Sequence, residues 1–244
     1  GAEESVVGGG RLPIDDHAER ICSHVATRRV TIIHGETGCG KSSTVPLMLL
    51  RSHDEQAAAE GGGQGALARM FVTQPRRIAA RALCERVRTT VRAQPKPPKP
   101  QADLAGSEAL DPGQLIGLRL GHGERDDDTH TRIWFATTGY VVLLLAHHPE
   151  MFLDHTHLII DEVHERSVDT DILCLLARKL LHSHPTIRLV LMSATVAAAL
   201  YQQYFGSPEP PLFVGVKRFP VAQVFAENLA FKDADTANEN TGAA

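Results

Sequence analysis

The chain has 244 residues, 43% of them hydrophobic, enough apolar material for one large domain or two small ones. Its formal net charge of −4 excludes a global positive field that would draw the whole chain to nucleic acid. No apolar run reaches the roughly 18 residues of a membrane span and no charged-then-apolar signal segment opens the chain, so a soluble intracellular protein with no membrane partner is expected.

In chain order, short apolar runs alternate with helix-like stretches. A helix is expected over 16–26 and a strand over 30–33. Directly after that strand comes Gly35-Glu36-Thr37-Gly38-Cys39-Gly40-Lys41-Ser42, which opens a second helix at 41–50. Gly35, Gly38 and Gly40 let a backbone wrap closely and turn its N–H groups toward an anion, and the helix N-terminus adds about half a positive charge. Lys41 would then reach the β- and γ-phosphates of a nucleotide, while the Ser42 hydroxyl would ligate magnesium. A strand follows at 70–73 and a helix at 77–92, then strands at 115–120 and 133–136 and a helix at 139–146. The strand at 157–160 ends in Asp161-Glu162-Val163-His164-Glu165-Arg166. Carboxylates at the C-terminal end of a buried parallel strand lie on the edge where ligands bind. Asp161 is placed to hold the magnesium, and Glu162 to orient and deprotonate the water that attacks the γ-phosphate. A helix at 170–181, a strand at 188–192 and a helix at 197–205 complete the pattern, which reads as an α/β fold with a mostly parallel sheet and helices on both faces.

Two stretches break the alternation. Residues 52–65 are rich in Ala and Gly, and 94–114 hold five prolines, so both are expected to be flexible surface insertions. Residues 1–11 and the tail from 232 to 244 are expected to be flexible as well, leaving 12–221 as the domain and 222–244 as a tail or the start of a linker to a missing second lobe. The chain opens on Gly rather than Met, which points to a fragment or processed protein. Between Arg69 and Lys99 lie nine basic residues opposed locally only by Glu85, which predicts a basic face, or else a solvated Arg-rich helix. Cys22, Cys39, Cys84 and Cys174 are widely scattered, and the thirteen histidines lack partners at ligand spacing, so neither a disulfide framework nor a zinc site is expected.

With these motifs in order, the chain resembles the DEAH-box (DEAH/RHA) group of superfamily 2 RNA helicases from about Leu12 to Val221. Gly35 to Ser42 matches the group's first motif, and Thr73-Gln74-Pro75-Arg76-Arg77-Ile78-Ala79-Ala80 resembles motif Ia. Thr137-Thr138-Gly139 resembles motif Ib, Asp161-Glu162-Val163-His164 motif II, Leu191-Met192-Ser193-Ala194-Thr195 motif III, and Arg218-Phe219-Pro220-Val221 the exit from a first lobe. The resemblance implies a RecA-like P-loop domain that uses ATP and Mg2+. In it Gly35, Glu36, Thr37, Gly38, Cys39, Gly40, Lys41, Ser42 and Ser43 cradle the phosphates, and Arg86 packs on the base. Ser42, Asp161 and Glu162 serve the metal, and Glu162, Lys41 and His164 the hydrolysis. Arg76, Arg77, Thr137 and Thr138 would contact the backbone of single-stranded RNA without reading its sequence. His164, Ser193 and Thr195 would relay the nucleotide state between lobes.

Some positions depart from the group. Leu118 replaces a frequent aromatic, Gly121 stands near a frequent Arg, and Leu143 occupies another Arg position. Nothing in the chain resembles Gln-x-x-Gly-Arg-x-Gly-Arg, the segment of the second RecA-like lobe that supplies arginine fingers. Such a finger is worth about 10³- to 10⁵-fold in rate, so this chain alone is expected to bind nucleotide and hydrolyse it poorly. The competing readings are a P-loop kinase or generic ATPase, which would not need motifs Ia, Ib and III in this order, and a truncated module that binds RNA or a partner without unwinding.

Overall fold

The computed structural model describes residues 12–61, 67–93, 111–195 and 198–215. The exit motif at Arg218, most of the Pro-rich stretch and both termini lie outside them.

Helix α1 (Ala18–Thr27) leads into strand β1 (Val30–His34), the glycine loop and helix α2 (Lys41–Ala59). Strand β2 (Met70–Gln74) and α3 (Arg77–Ala93) follow, then β3 (Ile116–Arg119), β4 (Arg125–Asp126), β5 (Ile133–Thr137) and α4 (Thr138–His147). After β6 (His157–Ile160) come α5 (Val168–Ser183), β7 (Arg188–Ser193), α6 (Ala198–Phe205) and β8 (Leu212–Phe213). The eight strands form one sheet in the order β4-β3-β5-β2-β6-β7-β1-β8. Every neighbouring pair is parallel except β3 with β4. This is the mostly parallel α/β architecture expected from the alternation, and it agrees with the RecA-like domain that the resemblance implies.

Strand residues alternate between two cores, as the period of two demands. Met70, Val72, Ile159 and Val190 pack on one face with α1, α2 and α3, while Phe71, Leu158, Ile160 and Leu189 pack on the other with α4, α5 and α6. The helices offer apolar stripes at matching spacing: Ala80, Cys84 and Val87 on α3, Leu173, Ala177 and Leu180 on α5. Ser167 caps α5, its hydroxyl accepting the Thr170 N–H at 3.1 Å. Among the described residues no helix is long and apolar enough to cross a membrane.

Two features depart from the sequence reading. Helix α2 continues through the first part of the expected insertion to Ala59. The segment holds Ala, Glu and Gln, which are good helix formers, and Asp54 ties it down. That carboxylate receives both terminal nitrogens of Arg132, at 2.6 and 2.5 Å, and the Ala68 N–H at 3.1 Å. The second departure concerns charge. The arginines of α3 are not left opposed by Glu85 alone, because the β3–β4 hairpin and Asp111 fold against them. Arg77 and Arg81 both reach Glu124, Arg88 reaches Asp126 at 2.6 Å, and Arg92 reaches Asp111 at 2.7 Å. The basic and acidic clusters, separate in sequence, are partners in space.

Candidate nucleotide site and nucleic-acid face

The glycine loop leaves β1 at the C-terminal edge of the sheet. Gly38 and Gly40 adopt φ of 82° and 100°, a left-handed region open to glycine at little cost. Gly35 is required for another reason: a Cβ there would lie 2.1 Å from the Val214 carbonyl oxygen. Lys41 is the first residue of α2 and is 7% exposed. Its Nζ donates to the Glu36 carbonyl at 2.8 Å and to the Gly35 carbonyl, so the ammonium is already seated inside the loop. A cleft of about 840 Å³ opens beside it, lined among others by Thr37, Ser42, Ser43, Arg86 and Glu162. Arg86 therefore stands at the same cleft as the loop, 45 residues downstream of Lys41 in sequence.

Strand β6 delivers Glu162 to the cleft wall, with Asp161 buried beside it. Thr73 pairs with Ile160, so the next residues, Gln74 and Asp161, emerge side by side. The Gln74 amide nitrogen donates to Asp161 Oδ2, and the Glu162 N–H donates to Asp161 Oδ1 at 2.8 Å. Asp161 is 2% exposed, and burial pushes its pKa up to about 6 against the opposing pull of the Ser42 hydroxyl. A buried carboxylate next to a serine hydroxyl is an oxygen donor set of the kind Mg2+ takes with substrate phosphates and water. The residues present fit that ion.

Glu162 has φ 54° and Arg166 φ 50°, flanking the short turn Val163–Glu165. Left-handed backbone at non-glycine residues costs of order 1–3 kcal/mol and persists where neighbours hold it. Here α6 does so: the Tyr201 hydroxyl donates to the Val163 carbonyl at 2.5 Å. His164 is held from the other side by strand β7. The Ala194 N–H can only donate, so His164 Nδ1 accepts it at 3.2 Å. The ring proton therefore sits on Nε2, which faces Glu162 Oε2 at 3.4 Å. Ser193 Oγ receives the Thr195 N–H at 3.2 Å and donates to the Thr195 carbonyl at 3.1 Å. A continuous path thus joins Glu162, through His164, to the turn after β7.

Residues 15–203 match the family described as DEAD/DEAH box helicase. The chain belongs to that family. Relatives of this helicase domain include the DExH-box ATP-dependent RNA helicases DExH3 and DExH1 of Arabidopsis thaliana, 32% identical over 222 residues and 31% over 225. The human ATP-dependent RNA helicase DHX30 is 31% identical over 224 residues. These alignments cover 89–91% of the chain but only 16–20% of the relatives, so the domain spans a small part of their length.

In this helicase domain the motif Ia arginines stand at the start of α3, on the same sheet edge as the nucleotide cleft. Gln74 pairs with Thr137, so motifs Ia and Ib sit at one level of the sheet. Arg76 is exposed and lies 3.5 Å from Glu165, the residue after His164; Arg77 is held by Glu124 at 2.6 Å. Thr137 and Thr138 are buried, and the Thr138 hydroxyl has no partner among the described residues. Sequence reasoning assigned no role to Gln74, Glu165 or Tyr201. Only the strand register and the seating of α6 bring them to the site.

Proposed function

We propose that this helicase domain binds ATP with Mg2+ in the cleft between the glycine loop and Asp161-Glu162. Joined to a second RecA-like lobe, it would couple ATP hydrolysis to movement along or remodelling of single-stranded RNA. The observation that carries the reading is the convergence of Lys41, Ser42 and Glu162 on one cleft, with Asp161 buried against the Ser42 hydroxyl and His164 linking Glu162 to the turn after β7. The backbone N–H groups from Gly35 to Ser43 hold the phosphate chain, and Lys41 leaves the loop carbonyls for the β- and γ-phosphates. Mg2+, when bound by Ser42 and Asp161, supplies charge neutralisation between the phosphates. Glu162 orients the attacking water and takes its proton. His164 fixes the Glu162 carboxylate and reports its position to Ser193 and Thr195. Arg86 stacks on the base.

The RNA face comprises Arg76 and Arg77 with the backbone at Thr137 and Thr138, gripping phosphates rather than bases. The domain is taken as 12–221, with 222–244 starting the connection to the second lobe, and RNA as the partner named by the DExH-box relatives. The test is steady-state ATPase of this chain alone and with a second lobe supplied in cis. Turnover should be near background alone and become RNA-stimulated when the lobe is added. Glu162→Gln should remove it again while ATP affinity stays within about threefold. Full turnover by Glu162→Gln would sink the assigned base, and a joined pair that binds RNA without turnover would favour a non-unwinding binding module.

A further inference from the structure

Arg77 and Arg81 stand one helical turn apart at the start of the 17-residue helix α3. Both guanidinium groups converge on Glu124, Arg77 Nη2 on Oε2 at 2.6 Å and Arg81 Nη2 on Oε1. The His122 ring lies 3.5 Å from Arg77 Nη1. The carboxylate presents one negative charge on two oxygens, each taken by a different arginine, at the positive end of a helix dipole. A phosphodiester presents the same charge on its two non-bridging oxygens. The three side chains remain partly open to solvent, at 48%, 58% and 33% exposure.

Freeing the two arginines asks only the Glu124 side chain to move, while Arg88 still holds Asp126 in the segment that carries it. Glu124 lies in the turn of the β3–β4 hairpin, where His122 and Gly123 take φ of 66° and 78°. Strand β4 has two residues, both exposed, paired only to β3 at the sheet's outer edge. Rotating the Glu124 side chain away breaks two solvent-exposed ion pairs and no described core contact. Such pairs are individually weak.

We propose that Arg77 and Arg81 form a phosphodiester site for single-stranded RNA, and that Glu124 occupies it as an internal competitor which RNA must displace. This rests on the RNA-binding reading above and adds Arg81, which lies outside the motif, as a backbone contact. Glu124 acts as a threshold: a strand that reaches only one arginine does not displace it, whereas one that offers a phosphate to both does.

The experiment is fluorescence anisotropy of a fluorescein-labelled twelve-nucleotide oligouridylate over a salt series, with circular dichroism to check each fold. Glu124→Gln and Glu124→Ala should each tighten binding about two- to fivefold at low salt. Arg81→Ala should weaken binding and lower the slope of log affinity against log salt by roughly 0.7. In the Arg81→Ala background the gain from Glu124→Gln should shrink toward none. Unchanged or weaker binding by both Glu124 variants overturns the proposal, as does an Arg81→Ala slope equal to the parent's. Arg77→Ala separates the two levels. If it weakens binding while Glu124 and Arg81 variants match the parent, only this inference fails; if it too matches the parent, the RNA face itself lies elsewhere.

Discussion

Lowering the pH from about 7 to about 4.5 should strip this domain of stability through two buried histidines, and the size of the loss follows from their surroundings. His155 is 7% exposed and lies against Phe71, Trp134 and Phe152, with ring centroids 4.9, 5.2 and 5.3 Å away. Among the described residues neither of its ring nitrogens has a hydrogen-bond partner of good geometry. Burial, helped by the Arg69 charge, lowers its pKa to about 4, although the Met151 backbone opposes the shift. His157 is 2% exposed, and burial with the nearby His53 and Arg188 lowers its pKa to about 3. In the unfolded chain both titrate near 6.5. Below that pH the unfolded state takes up protons that the folded state refuses, so stability present at neutral pH falls as pH drops toward 4. At pH 4.5 the cost is about 2–3 kcal/mol for each ring.

His155→Phe isolates one of them, since Phe suits the aromatic cluster and removes two buried polar atoms. At neutral pH it should be neutral or stabilising. Urea unfolding, followed by circular dichroism and by Trp134, the single tryptophan, would give both stabilities across the pH range. The variant should gain about 2–3 kcal/mol on the parent between pH 7 and 4.5. Parallel acid limbs for the two proteins would show that His155 is not held neutral by the fold.

The other expectations concern the site. Lys41→Ala should weaken magnesium-dependent ATP and ADP binding by about a hundredfold or more in titration calorimetry, with an unchanged circular dichroism spectrum; unchanged affinity would remove the nucleotide assignment. The double change Arg76→Ala/Arg77→Ala should flatten the salt dependence of single-strand binding by between about one and two and weaken all sequences alike. An unchanged slope would mean that these arginines serve only Glu124 and Glu165. Tyr201→Phe should cost about 1–2 kcal/mol in urea unfolding, because it leaves the buried Val163 carbonyl with only the longer Arg166 N–H at 3.4 Å. It should also raise exchange at the Val163–Glu165 amides, and slow exchange there would show that the turn is held by other means.

The parts of the site written into consecutive residues were legible before any coordinates. The glycine loop needs Gly38 and Gly40 for positive φ and Lys41 for its charge, and all three fall within four positions. Asp161 and Glu162 were likewise marked by the apolar strand they terminate. What stayed hidden depends on which strands become neighbours. The contact of Gln74 with Asp161 spans 87 residues and follows from β2 lying beside β6 in one register. The capture of Arg77 and Arg81 by Glu124 needs a hairpin whose second strand is two residues long, too short to carry an apolar signature. Strand β8 is equally short and equally unannounced. The length of α2 was misread for a local reason: residues 52–59 looked too small and polar to hold a core, yet their helix propensity with the Arg132 anchor suffices.

The close approach of Val214 to Gly35 makes the segment after β8 part of the glycine loop's own wall. After β8 the chain crosses directly over the loop's first glycine, tied to β1 by the Val214 N–H on the His34 carbonyl at 2.8 Å. No side chain can be added at Gly35 without lifting that crossing. The Lys41 ammonium bonds the carbonyl of this same Gly35. The carbonyl that seats the ammonium and the Cα that bears the Val214 crossing thus belong to one glycine.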